Sequence, residues 1–191
     1  MPNSELIEQL SYTTALRKNR MGAANWILAH PETIPEVLEL CFGEDKELSY
    51  KAAWAFEFVF IEDPTLLHPH FEYFFGMLPK AKLDQVVRPL AHICERLCIG
   101  YYKKLDPKIR ATLSEAHKLV MTECCFDWLI TDQKVACQVR AMTCLFYLGT
   151  ESDWIHTELK QILEANLFKG SAGYKSRAKK TLEQIRKHRY G

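Results

Sequence analysis

Signals for β-structure are scarce. The chain has no Asn-Gly or Asp-Gly turn and no sustained alternation of apolar and polar residues, so hairpins and sheets are not expected. No apolar run approaches the roughly 18 residues a membrane span requires, and no membrane association is expected. Residues 1–20 show no basic segment followed by an apolar one, so no export signal is expected. Cys-x-x-Cys, His-Glu-x-x-His, a phosphate-binding glycine loop and Gly-x-Ser-x-Gly are all missing. The common zinc, P-loop and serine-hydrolase signatures therefore do not apply. No cofactor and no metal is expected.

What is present describes a helical globule. The 191 residues are 48% hydrophobic and 26% charged, which excludes disorder as a class and allows one substantial core. The seven cysteines are odd in number, and several fall inside apolar helical patterns. Without an export signal they read as reduced core thiols of a cytoplasmic protein. Net charge is +1, unevenly spread. Residues 169–191 hold eight Lys/Arg against one Glu, and the remainder holds seventeen basic against twenty-three acidic residues. A basic end on a mildly acidic body suits an anionic partner, or a solvated face of the last helix.

Residues 50–61, YKAAWAFEFVFI, are the densest apolar stretch, with only Lys51 and Glu57 charged. A helix apolar all round must be covered on nearly every side, which puts it in the middle of a stack. Around it, Pro31, Pro64, Pro79 and Pro107 separate periodic segments. Ser4 is expected to cap a first helix with Leu6, Leu10 and Ala15 on one side. A second helix spans about 18–30, and Pro35 suits the first turn of the next. Gly43 closes that helix. Pro69 kinks or starts the helix after Pro64, and Asp84 is expected to cap the one that carries Pro89. Residues 103–110 read as a polar connector. Helices over about 112–130, 133–148 and 154–168 follow, stopped by Gly149 and Gly170. Ser171 can cap a last one with Tyr174, Ala178, Leu182 and Ile185 in a stripe.

A basic residue, mostly followed by a small one, recurs early in every second helix: Arg20, Lys51, Arg88, Arg140 and Arg177, spaced 31, 37, 52 and 37 apart. Asp45, Asp84 and Asp132 lie in or beside the preceding turns. The segment ITDQKVACQVRAMTCLFYLG, residues 130–149, and more loosely GEDKELSYKAAWAFEFV, resemble the HEAT repeat. The resemblance covers helix pairs at about 4–30, 31–62, 63–104, 112–149 and 152–189. It implies an all-α, right-handed α-α superhelix of HEAT/ARM type, a solenoid of five antiparallel pairs in a single domain over 1–191. Such a solenoid has one concave face, and its repeats are buried only against their neighbours. The chain also resembles a family of short bacterial proteins, some labelled adenylosuccinate lyase. Such lyases are long helical-bundle tetramers with a Ser-rich loop. This chain has neither the length nor the loop, so lyase activity is not expected.

The Arg/Lys ladder has two readings. The cations line a groove for an acidic peptide or a phosphate backbone, or they bond the turn aspartates and open carbonyls between repeats. Glu57, if buried, needs a basic partner from an adjacent repeat or has its pKa raised as a general acid/base would; otherwise it faces solvent on the concave side. Trp26, Trp54, Trp128 and Trp154 are spread along the chain. HEAT-like alkylpurine DNA glycosylases resemble it in architecture and use Trp and Asp in a basic groove, but the body here is net acidic. His92, Glu95, Cys94 and Cys98, or His68 and His70, do not complete a tetrahedral ligand set. The expected function is non-catalytic binding of a protein or peptide on the concave face, through Arg20, Lys51, Arg88, Arg96 and Arg140. The alternative is nucleic-acid binding through Lys175, Arg177, Lys179, Lys180, Arg186 and Lys187.

Overall fold

The computed structural model describes residues 3–14 and 16–190, with side chains through His188. Ala15, placed above on the first helix, lies outside the described residues. Among the described residues there are eleven α-helices and no strand. Among the described residues no helix is long and apolar enough to cross a membrane. The chain divides into two compact units, Met1–Ile93 and Cys94–Gly191.

In the first unit, α1 (Ser4–Leu10) is capped by Asn3 rather than Ser4, because the Asn3 side chain accepts from Glu5 N and Leu6 N. It stops at Leu10, short of the expected end. Ser11 Oγ bonds back to the Ile7 carbonyl at 2.7 Å, an alternative to helix that hydroxyl residues offer the backbone. Then come α2 (Arg17–Ala29), α3 (Ile34–Cys41) with Pro35 in its first turn, and α4 (Lys46–Glu62), capped by Asp45. Pro69 lies inside a 3₁₀ segment, Pro64–His70, and α5 (Phe71–Met77) begins after it. α6 (Asp84–Cys98) opens in this unit.

α4 is the centre of this unit. It packs against α1, α2, α3 and the 3₁₀ segment. Ala52, Ala53, Ala55, Phe56 and Val59 are fully buried, and a phenylalanine such as Phe56 contributes about 2–3 kcal/mol by leaving water. The expectation that α4 is covered all round needs correction. Tyr50, Trp54 and Phe58 are only half-buried, and Ile61 is exposed. One aromatic stripe faces outward. Trp54 meets Gln85 and Glu57 meets His92. These contacts advance in the same direction along both helices, so α4 and α6 run parallel.

In the second unit α6 ends in a π-turn, Ile99–Lys103. The expected polar connector instead contains most of α7 (Pro107–Thr112), capped by Asp106. Gly100 allows this: a Cβ there would lie 2.4 Å from Cδ1 of buried Ile109. Ser114 caps α8 (Glu115–Ile130), and α9 (Val135–Leu148) packs on α8, α10 (Asp153–Asn166) and α11 (Ala172–Tyr190). Ser171 Oγ accepts from Tyr174 N at the start of α11. A Cβ on Gly173 would sit 3.4 Å from Val135, and Arg177 bonds Thr143, so α9 and α11 also run parallel. The seven cysteines are free and buried. Burial pushes the Cys94, Cys98 and Cys125 thiols well above their ordinary pKa, as expected for thiols acting as small apolar side chains.

Candidate functional site

The outward stripe of α4 gathers aromatic rings, cations and a carboxylate–imidazole pair in the first unit. Tyr50, Trp54 and Phe58 stand one helical turn apart on one side. The Tyr50 and Trp54 rings are 4.7 Å apart at 42°. α2 supplies the cations. The Arg20 guanidinium lies 5.5 Å from the Trp54 ring and 5.7 Å from the Phe58 ring, and Arg17 lies 5.6 Å from Phe58. Each contact is worth roughly 0.5–1 kcal/mol at a partly exposed site. The aromatic rings thus hold Arg20 in place.

α6 supplies the other edge. Pro89 sits inside that helix and has no N–H, so the Gln85 carbonyl loses its helical partner. Trp54 Nε1 takes that place, donating to Gln85 O at 3.0 Å. Farther along, His92 Nδ1 donates to Glu57 Oε1 at 2.7 Å, with the side chains 22% and 10% exposed. The basic partner expected for Glu57 is therefore His92. The bond fixes the imidazole and leaves Nε2 as its remaining polar atom. Arg88, one turn before His92, is half-buried and has no polar partner among the described residues.

Tyr12 completes the site and was not singled out in the sequence. Its ring lies 5.0 Å from the Lys51 ammonium. Its hydroxyl pKa is pushed up to about 12 by burial, against the lowering effect of Arg20 and with a smaller push from Tyr50. Sequence alone gave no sign of it, because Tyr12 lies beyond the end of α1 in irregular chain.

The ladder residues have separate roles. Lys51 is buried and paired with Glu47 at 2.6 Å, Arg96 is exposed, and Arg140 meets Glu95 at 3.5 Å. Arg177 donates to Thr143 Oγ1 at 2.8 Å. The proposed bonds to turn aspartates are not found among the described residues. Asp45 is occupied capping α4, Asp84 Oδ1 is buried with no partner, and Asp132 is exposed. On α11, Lys179, Lys180, Arg186 and Lys187 are exposed and Lys175 half-buried. Lys187 pairs with Glu183 at 2.7 Å.

The second unit holds another group that sequence reading missed. Lys118 is buried, and its ammonium bonds Glu115 at 2.6 Å, Glu151 at 2.8 Å and Tyr101 at 3.0 Å. Burial lowers its pKa, but these three hydrogen bonds outweigh that and hold it above the usual lysine value. An open depression of about 220 Å³ beside it is lined by Leu119, Glu151 and Trp154 among others. Trp154 stacks on Phe126, Trp26 stacks on His30, and Trp128 is buried. Among the described residues no three His, Cys, Asp or Glu side chains are placed to hold a metal ion.

Compared with protein-family models, curated proteins and solved structures, the chain matches none. The functional reading therefore rests on the geometry of this face.

Proposed function

We propose that the chain is a non-catalytic scaffold that binds a protein or peptide. In this reading it is a right-handed, HEAT-like superhelix whose second helices, α2, α4, α6, α9 and α11, line the concave side. The carrying observation is the half-exposed stripe of Tyr50, Trp54 and Phe58, with Arg17 and Arg20 packed on it. Aromatic and arginine side chains supply most of the energy where proteins recognise one another. Arg88 adds a third cation, so the face suits an extended segment carrying both acidic and apolar side chains. The parallel run of α4 with α6, and of α9 with α11, is what a stack of two-helix repeats requires.

The test is selection of a random peptide display library on the full chain. The wild type should enrich a sequence family, and Tyr50→Ala combined with Phe58→Ala should abolish the enrichment while the far-ultraviolet spectrum is retained. No enrichment on the wild type, or enrichment indifferent to those changes, contradicts the reading.

A second reading, nucleic-acid binding by α11, is favoured by the exposed Lys179, Lys180 and Arg186. Helical spacing places Lys175, Lys179 and Arg186 on one side. Binding to duplex or single strands should then fall steeply with rising salt. Failure to retard either at low salt rules it out.

A further inference from the structure

Lys118 in the second unit is buried, yet the space beside it is open. The depression of about 220 Å³ is lined by Glu115, Lys118 and Glu151 and by the apolar Leu119, Trp154 and Ile155, among others. A ligand can reach it. The side chains of Glu115 and Glu151 are 84% and 42% exposed, and Leu119 and Trp154 are more than half exposed. Both carboxylates bond the same Lys118 nitrogen, at 2.6 and 2.8 Å. They therefore stand side by side, close enough for one small group to meet both.

The hydrogen bonds decide the sign of that group. An ammonium has three N–H donors and no acceptor. Those of Lys118 go to Glu115 Oε1, Glu151 Oε2 and Tyr101 Oη, so none is left for a ligand. Glu151 Oε2 accepts from Tyr102 as well. The second oxygens, Glu115 Oε2 and Glu151 Oε1, have no partner among the described residues. Two carboxylates against one ammonium leave the lining with a charge of −1. Helix N-termini attract anions, but α8 and α10 already carry Glu115 and Asp153 in their first turns.

Trp154 gives the cation a platform. Phe126 stacks on its ring at 5.8 Å and 26° and is not part of the lining, so the ring is held from outside the depression. An indole face is the best of the aromatic surfaces for a positive charge. A bare metal ion would gain nothing from Leu119 and Ile155, and an uncharged apolar group would leave both carboxylate oxygens unanswered. The space is smaller than the roughly 300–1,000 Å³ of drug-sized sites, which limits the ligand to a few heavy atoms. We propose that this depression binds a small organic cation, an ammonium or guanidinium on a short alkyl stem. Its N–H groups meet Glu115 and Glu151, and its stem lies against Trp154 and Leu119. The site is independent of the peptide reading, because the acidic segment that suits the α4 face is repelled here.

The test is a titration of the isotope-labelled full chain, followed at the Trp154 indole N–H. Butylguanidinium and butylammonium are the ligands, with uncharged butanol and anionic butyrate as controls of the same shape. The cations should shift the resonance saturably and the controls should not. Glu115→Gln removes one charge at an exposed position and should weaken the cations about threefold or more. Leu119→Lys places a cation at the exposed rim and should abolish the shift. N-acetylarginine methylamide distinguishes the source. If it binds as butylguanidinium does, the site takes the basic side chain of a peptide; if it is excluded, the site takes a free amine. Either result supports the cation site. No saturable shift with either cation, an equal shift with butanol or butyrate, or cation binding indifferent to both substitutions overturns it.

Discussion

Trp54 Nε1 donates to the backbone carbonyl of Gln85 at 3.0 Å, the carbonyl that Pro89 leaves without its partner one helical turn later. A helix-breaking residue on α6 thus creates the acceptor that orients an aromatic side chain on α4. The binding stripe is held by a backbone bond as well as by packing.

That relationship can be measured as a coupling. Trp54→Phe keeps an aromatic ring, though a smaller one, and removes the N–H, and should cost at least about 1 kcal/mol of stability. In a Pro89→Ala background the residue-89 N–H can serve Gln85, and the same change should cost about half as much or less. Urea denaturation of the four chains gives the cycle; equal losses in both backgrounds would show that the bond contributes nothing.

Glu57 and His92 provide a second tie between α4 and α6. Glu57→Ala leaves a mostly buried imidazole without its acceptor and should cost about 2–3 kcal/mol. Glu57→Gln keeps an oxygen that can accept and should cost about 1 kcal/mol. Denaturation midpoints rank the variants, and a neutral Glu57→Ala would mean the pair is not formed in solution.

Much of this was legible in the chain and some was not. Pro35, Gly149 and Ser171 announced helix ends, because a fixed φ, a glycine and a capping hydroxyl each suit few other positions. Residues 103–110 misled because α7 is short, polar and buries mainly Ile109. The open side of α4 was hidden because Trp54 and Phe58 are as apolar as Phe56, and only their neighbours on α2 and α6 distinguish face from core. The aspartates beside the ladder looked like partners for its cations, but Asp45 serves its own helix N-terminus. Glu57 could be flagged as a buried carboxylate, while its partner, thirty-five residues away, could not be named.

Charge reversal should separate the two kinds of ladder residue. Arg140→Glu places a carboxylate beside the partly buried Glu95 and should cost about 2 kcal/mol. Arg88→Glu breaks no pair and should change stability by less than about 0.5 kcal/mol while abolishing peptide binding. A large stability loss in Arg88→Glu would make that residue structural.

Gly149 ends α9 against a buried ring. A Cβ there would lie 2.1 Å from His156 Cδ2, and His156 Nε2 donates to the Phe146 carbonyl at 2.8 Å. Gly149→Ala should cost about 2 kcal/mol through this clash. With His156→Ala already present, the added cost should nearly vanish. Additive losses in thermal denaturation would place the strain elsewhere.

Alkali should unfold the chain in a defined window. The folded pKa values of Tyr12 and Lys118 are raised, so above the ordinary values of about 10 the unfolded chain releases protons that the folded chain keeps. Stability therefore holds below about pH 10 and falls as pH rises toward about 12, where folded Tyr12 ionises. Tyr12→Phe should flatten that fall. Its denaturation curves at rising pH check the sign, and stability that grows with pH in this window would reverse it.

The most direct test of the binding face is the set of indole N–H resonances of the four tryptophans as a display-selected peptide is added. The account predicts that Trp54 shifts and saturates together with Arg20 Nε–H, while Trp128 and Trp154 stay in place. Saturable movement of Trp154 with Trp54 and Arg20 unchanged would put the ligand elsewhere and contradict the account.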